Sequence, residues 1–319
     1  MRFVVKFTNW LLLVYVVLCC AHANNKSNEI SIPLNNWTSQ RVLSYAVGTM
    51  IQKYGYNVIY HDMPASDQWG AMKKGLVHFQ IEIWQQSMSG QFNRMIENNY
   101  IVDLGVHDVV VREEWWYPKY VEELCPGLPD WQALNRCATL FSSQSGSSKG
   151  VFYTIDWDYQ DADLIRALGL HFTIERLSNE NELWRLLEQA WEKKEPVLII
   201  NWTPNWTDLH MPGKFVQFPK YSPACEVDAS WGQNSNLVND CGNPQKGWLR
   251  KAGWTGLQST YPCVYNLLRK LNFSKNMIAD ASALVIVDGH SEQEAAKKWL
   301  EKYNLDIAHW LESSCVSKT

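Results

Sequence analysis

The sequence predicts an α/β protein of two lobes with a ligand cleft between them. Three observations carry this. Short β-prone runs alternate with helical segments, the alternation comes in two series divided near Cys125, and the C-terminal third is helical, so the chain returns after the second series. At 319 residues there is length for about two domains, and 46% hydrophobic with 19% charged residues is the composition of a folded chain.

The first series opens with a strand at Ile30–Leu34, followed by a helix capped by Thr38 or Ser39 that runs to about Lys53 and stops at Gly55. Tyr56–His61 is β-like, Ser66–Lys74 helical with Gly75 as its stop, and Leu76–Trp84 alternates as a strand. Residues 86–98 suit a helix, and two short β runs follow at 100–104 and 106–111. The pattern argues for a parallel sheet. In the second series Pro129–Arg136 reads as a short helix, Ala138–Phe141 as a strand, 142–150 as a Ser/Gly-rich loop, 160–168 as a helix and 171–175 as a strand. Asn179–Lys194 is amphipathic, with Leu183, Leu186, Leu187, Ala190 and Trp191 on one face, and the strand 197–201 follows. Residues 219–247 form a long Pro-, Gly- and Asn-rich connection. Ser291 with Glu294 makes a capping box before Ala295–Tyr303. The expected division is 28–118 for lobe 1, with 250–319 returning to it, and 119–249 for lobe 2.

Residues 1–23 have the form of a secretory signal: Arg2 and Lys6, an apolar run from Trp10 to Cys20, and a small-x-small site at Ala21-His22-Ala23. Its removal takes away two basic and no acidic residues, changing the net charge from −4 to −6, which disfavours nucleic acid as a partner. The expected location is secreted or extracellular, periplasmic in a bacterium. Six cysteines remain, an even number that points to disulfides in an exported chain. Cys125–Cys137 and Cys225–Cys241 each close a short Gly/Pro-containing loop, and Cys263–Cys315 follows by elimination. No C-x-x-C spacing and no histidine ligand spacing occurs, so neither a metal nor a cofactor is expected. Phosphate-cradling Gly motifs are also absent from the sequence. Asn-x-Ser/Thr occurs at Asn25, Asn36, Asn201, Asn205 and Asn272; Asn201 and Asn205 flank Trp202 and are expected to stay unmodified if a cleft there is functional.

The chain holds 17 tryptophans, and several stand where β runs end: Trp37 after the first strand, Trp84 at the end of 76–84, Trp115 and Trp116 after 106–111, and Trp202 after 197–201. Core packing explains any one of them as well as ligand contact does. Their joint placement, from both lobes, points to an aromatic cage. Indole faces suit a cation without N–H donors, above all a quaternary ammonium, at ~1–2 kcal/mol per desolvated face. Three or four faces give roughly 3–8 kcal/mol, whereas micromolar binding needs about 8 kcal/mol before ordering costs. A second anchor is therefore expected, and backbone N–H groups of the loop around Ser145 and Gly146, taken as a helix start, are the candidates.

KYGYNVIYHDM (53–63), IEIWQ (81–85), YPKYVEE (117–123), WEKKEPVLIINWTPNW (191–206), DCGNPQKGWLRKAG (240–253) and EAAKKWLEKYN (294–304) together resemble the substrate-binding proteins of ABC transporters for glycine betaine, choline and related quaternary ammonium compounds. The resemblance covers nearly all of the chain after residue 23. It implies a type II periplasmic-binding-protein fold, no enzymatic activity, a monomer, a quaternary ammonium ligand, and a membrane transporter or receptor as partner. By position it places Trp202, Trp84 and Trp37 in the cage, with Trp115, Trp116 or Tyr117 near the cleft. The chain departs from the pattern at Asn205, where His is common, at Ser39, where an acid is common, and at Gln85-Gln86 after Trp84. Two other readings compete: a recruited interaction or sensing module that has lost its ligand, and a carbohydrate-binding protein, for which Glu82 on the face of Trp84 offers one acid.

Overall fold

The computed structural model describes residues 28–143, 146–157, 160–312 and 314–315. The expected signal at 1–23 and Ser145 lie outside these residues. In chain order the elements are β1 (Glu29–Leu34), α1 (Thr38–Gln52), β2 (Asn57–Asp62), α2 (Gln68–Lys73), β3 (Phe79–Trp84), α3 (Gln85–Glu97), β4 (Ile101–Pro118), α4 (Val121–Leu124) and α5 (Gln132–Cys137). They continue with β5 (Gly150–Ile155), α6 (Asp161–Ala167), β6 (Phe172–Leu177), α7 (Glu180–Lys193), β7 (Ile199–Thr203), α8 (Thr207–His210), β8 (Gly213–Phe215) and β9 (Gly247–Trp254). The helices α9 (Leu257–Thr260), α10 (Pro262–Lys270), α11 (Lys275–Ile286), α12 (Glu292–Lys302) and α13 (Asn304–Glu312) close the chain.

The strands form two sheets, a parallel pair β1–β2 and a seven-stranded mixed sheet, rather than the parallel sheet the alternation predicts. β1 and β2 pair in parallel, as do β5 with β6 and β5 with β7. The antiparallel pairs are those of the long strand β4 and of β9: β9 returns between β3 and β4, and β4 also pairs with β7 and β8. Alternation reports which segments are strands but not which distant strand each will meet, and β9 comes from beyond the second series.

β4 is one 18-residue strand where the sequence suggests two short runs ending at 111. Residues Ile101–Val111 pair with β9, and Arg112–Trp116 pair with Thr203–Ile199 of β7. The second half of β4 thus belongs with the second series. We propose that the chain passes from lobe 1 to lobe 2 within β4, near residue 111, and returns at β9. This also corrects the reading of Trp115 and Trp116, which stand within a strand and not past one.

Each lobe has its own apolar packing. On α1, Val42, Leu43, Ala46, Val47, Met50 and Ile51 recur at helical spacing and are buried; α1 packs on α11 and α12. In lobe 2 the Trp115 ring stacks on Phe152 at 4.0 Å and meets Phe172 and Phe218 edge-on. The predicted strand Ala138–Phe141 is a 3₁₀ turn instead, continuing directly from α5. The strand of this region is β5, which follows the Ser/Gly-rich segment without an intervening helix start. The capping box forms as read: Ser291 Oγ accepts from the Glu294 N–H, and the Glu294 carboxylate accepts from the Ser291 N–H.

All three cysteine pairs are joined, Cys125–Cys137, Cys225–Cys241 and Cys263–Cys315. The first ties the chain just after α4 to the end of α5, and both of its residues are buried. Replacing both with serine is expected to lower stability by about 2–4 kcal/mol, the usual effect of opening a loop of this size. Urea unfolding of the double variant beside the parent protein measures it.

Candidate functional site

A cavity of about 730 Å³ lies between the lobes, and five tryptophans line it: Trp37, Trp69 and Trp84 from lobe 1, Trp157 and Trp202 from lobe 2. Trp37 stands at the N-terminus of α1, Trp84 is the last residue of β3, and Trp202 lies in β7 one residue before the cis Thr203–Pro204 peptide. Trp157 follows β5 directly. The Trp157 ring contacts Trp37 edge-on at 6.3 Å and Trp202 at 5.0 Å, so the aromatic wall is continuous from one lobe to the other. Behind Trp202 sits Trp184 of α7, ring centroids 5.2 Å apart, and Trp206 meets Trp184 edge-on at 5.4 Å.

Glu82 organises the lobe 1 wall. Its Oε2 accepts hydrogen bonds from the indole N–H groups of Trp37 (2.7 Å) and Trp84 (3.2 Å) and from the Ser39 hydroxyl (3.0 Å). The side chain is buried and lies behind the indoles rather than on the cavity, which removes it as a candidate glycosidase acid. The Ser39 noted as a departure from the family pattern is one of its three donors. Burial pushes the Glu82 carboxyl up to about 7; the Trp37, Ser39 and Trp84 donors pull the other way, and the charge of Glu180 adds to the rise.

Glu113 lines the cavity itself, buried and held by the N–H (3.3 Å) and hydroxyl (2.8 Å) of Ser87. Arg94 and Arg176 also line it, but both are solvent-exposed. The buried lining of the cavity therefore includes indole rings and the carboxyl group of Glu113, a combination that suits a cation.

The other expected contacts fall elsewhere. Trp115 is fully buried in lobe 2, its indole N–H donating to Asp161 Oδ1 at 2.7 Å. Trp116 is buried against Gly213, where a Cβ would overlap its ring. The Asn205 side chain turns inward, donating to Asn201 Oδ1 (3.2 Å) and accepting from the Trp206 N–H (2.8 Å). Gly146 is exposed and does not line the cavity; its neighbour Ser145 lies outside the described residues. Asn201 and Asn205 are buried, so neither is open to a glycan on the folded chain. Sequence reading missed Trp69, Trp157 and Glu113. Trp157 carried a usable signal, since Gly150–Ile155 (GVFYTI) is a β-prone run and Trp157 stands just past its end.

Residues 28–302 match the family described as the substrate-binding domain of ABC-type glycine betaine transport systems, OpuAC. The chain belongs to this family. Among its relatives in the family is a trimethylamine N-oxide-binding protein of Pelagibacter ubique (strain HTCC1062), 32% identical over 291 residues that make up 88% of this chain and 90% of the relative. Similar solved structures include an ABC-transporter choline-binding protein in complex with choline (TM-score 0.71, 14% identity, 92% of this chain and 95% of that one). A second is lactococcal OpuAC in its closed, glycine betaine-bound form (TM-score 0.65, 15% identity, 89% and 99%). These likenesses establish the two-lobed periplasmic-binding fold. Family members are solute-binding components of importers. Among the described residues there is no group of three or more His, Cys, Asp or Glu placed to hold a metal, and no helix long and apolar enough to cross a membrane.

The raised carboxyl groups set a pH dependence. Glu82, Glu114 and Glu180 are each pushed up to about 7 and Asp161 to about 6, burial being the main cause in every case. Between the unfolded value near 4.5 and the folded value near 7 the folded protein holds more protons than the unfolded chain. The contribution of such a group is therefore most favourable below pH 4.5 and declines as pH rises to 7, then stays level. Glu82→Gln removes one of these declines, so the fall in unfolding free energy from pH 4.5 to 7 is expected to be shallower in the variant. Urea unfolding across that range reads it.

Proposed function

We propose that the protein is a non-enzymatic extracellular receptor that captures a small trimethylammonium-type cation and presents it to a membrane transporter. The observation that carries this reading is the set of indoles from both lobes around one cavity, beside the buried carboxylate of Glu113. A cation whose surface is methyl groups has no N–H to donate, so indole faces can surround it without leaving a donor unpaired. The carboxylate adds long-range attraction in a site of low effective dielectric.

The same geometry ranks ligands. With the buried carboxyl group of Glu113 on the cavity and only exposed arginines around it, choline, which carries a net positive charge, is favoured over the zwitterion glycine betaine. The trimethylamine N-oxide-binding relative makes trimethylamine N-oxide a second candidate ligand. Export is supported by the form of residues 1–23 and by three disulfides, which persist in oxidising compartments.

Isothermal titration of the secreted protein with choline, trimethylamine N-oxide, glycine betaine and carnitine tests the reading. Saturable binding of at least one is expected, and Trp202→Ala should weaken it by about 10- to 100-fold, the loss of one desolvated cation–π wall and its packing. No heat from any of the four with folded protein would sink the reading and favour an interaction module that has lost its ligand.

A further inference from the structure

The helix α1 starts badly by its own sequence. Trp37 occupies the capping position and its side chain makes no capping bond, which leaves the first backbone N–H groups of the helix without a local acceptor. The acceptor comes from the other lobe. Oε2 of Glu180 receives the backbone N–H of Thr38 at 2.7 Å and the Thr38 hydroxyl at 2.7 Å, 142 residues away in sequence. Both residues are buried.

Glu180 has no such duty in its own helix. α7 is capped by Asn179, whose side chain accepts from the Glu182 N–H at 3.1 Å. One turn along α7, Trp184 packs behind Trp202. A single helix thus backs one cavity tryptophan in lobe 2 and, through Glu180, completes the N-terminus on which Trp37 of lobe 1 stands. An ion pair that also joins the lobes, Lys275 to Asp208, is 3.6 Å long with an exposed lysine, and solvent screening leaves it little strength.

We infer that Glu180 is the latch of the cleft: a lobe 2 carboxylate that caps α1 of lobe 1 only when the lobes are together, and so couples closure to the placement of Trp37. A negative charge at a helix N-terminus is favoured by the helix dipole as well as by its two donors. When the lobes part, both the Thr38 donors and the carboxylate return to water, and the bond is lost without unfolding either lobe. The inference rests on the proposed ligand only in that closure accompanies capture.

Glu180→Ala and Thr38→Val test it in the full secreted chain, by small-angle X-ray scattering and by the dissociation rates of choline and trimethylamine N-oxide. Glu180→Ala is expected to enlarge the radius of gyration and to weaken probe binding about tenfold, the size of a lost cap, mainly through faster dissociation. Thr38→Val, which removes one of the two bonds from the opposite side, should change both readouts in the same direction by less. Unchanged radius and dissociation rate in folded Glu180→Ala, while Trp202→Ala still weakens binding, would overturn the latch and leave the ligand reading standing. If the parent protein binds neither probe yet Glu180→Ala expands it, the latch stands and the ligand reading falls; without expansion both fall. Should Glu180→Ala fail to fold, Thr38→Val decides, and parental values in it overturn the latch.

Discussion

One oxygen atom, Oε2 of Glu82, holds the lobe 1 side of the cavity together. Three donors converge on it from two separate segments: Trp37 and Ser39 at the start of α1, and Trp84 at the end of β3. A buried indole needs an acceptor for its N–H, and sharing one carboxylate ties the two indole N–H groups to a single point. Burying that carboxylate is costly, which is why its pKa is raised by burial against three donors. An apolar residue at this position would remove that cost, but it would leave two indole N–H groups buried and unpaired, and nothing would fix their rotation.

The lobe 2 side is organised by packing instead of by charge. Trp202 leans on Trp184, Trp184 on Trp206, and Trp157 bridges Trp202 to Trp37. The difference follows from where each tryptophan stands. Trp37 and Trp84 sit at element ends, where neighbouring backbone gives little support. Trp202 lies within a strand paired to Glu113 of β4 and backed by a whole helix.

Much of this was legible in the sequence. The Gly55 stop marked the end of α1, amphipathic spacing marked α7, the capping box marked α12, and the position of tryptophans at strand ends marked Trp37, Trp84 and Trp202 as residues that now share one cavity. The same rule failed for Trp115 and Trp116 because β4 does not stop at Val111: its partner changes there from β9 to β7, an exchange visible only once distant strands are placed. It missed Trp157 because the Ser/Gly-rich segment before it masked the strand that delivers it. Glu113 gave no local sign at all. Its place on the cavity depends on the pairing of β4 with β7, and no pattern within β4 encodes that pairing.

The continuity of β4 has a mechanical consequence. Where two bodies are joined by loops, they can swivel about a few freely rotating bonds. Here one of the connections is an unbroken strand, with β9 hydrogen-bonded along its first half and β7 along its second. Relative rotation of the two halves must be taken up as twist and bend of that ribbon, whose register already shifts between Val106 and Val110. The ribbon acts as a torsion element with a resting angle of its own. Opening of the cleft then has to strain a hydrogen-bonded strand as well as part the contacts between the lobes.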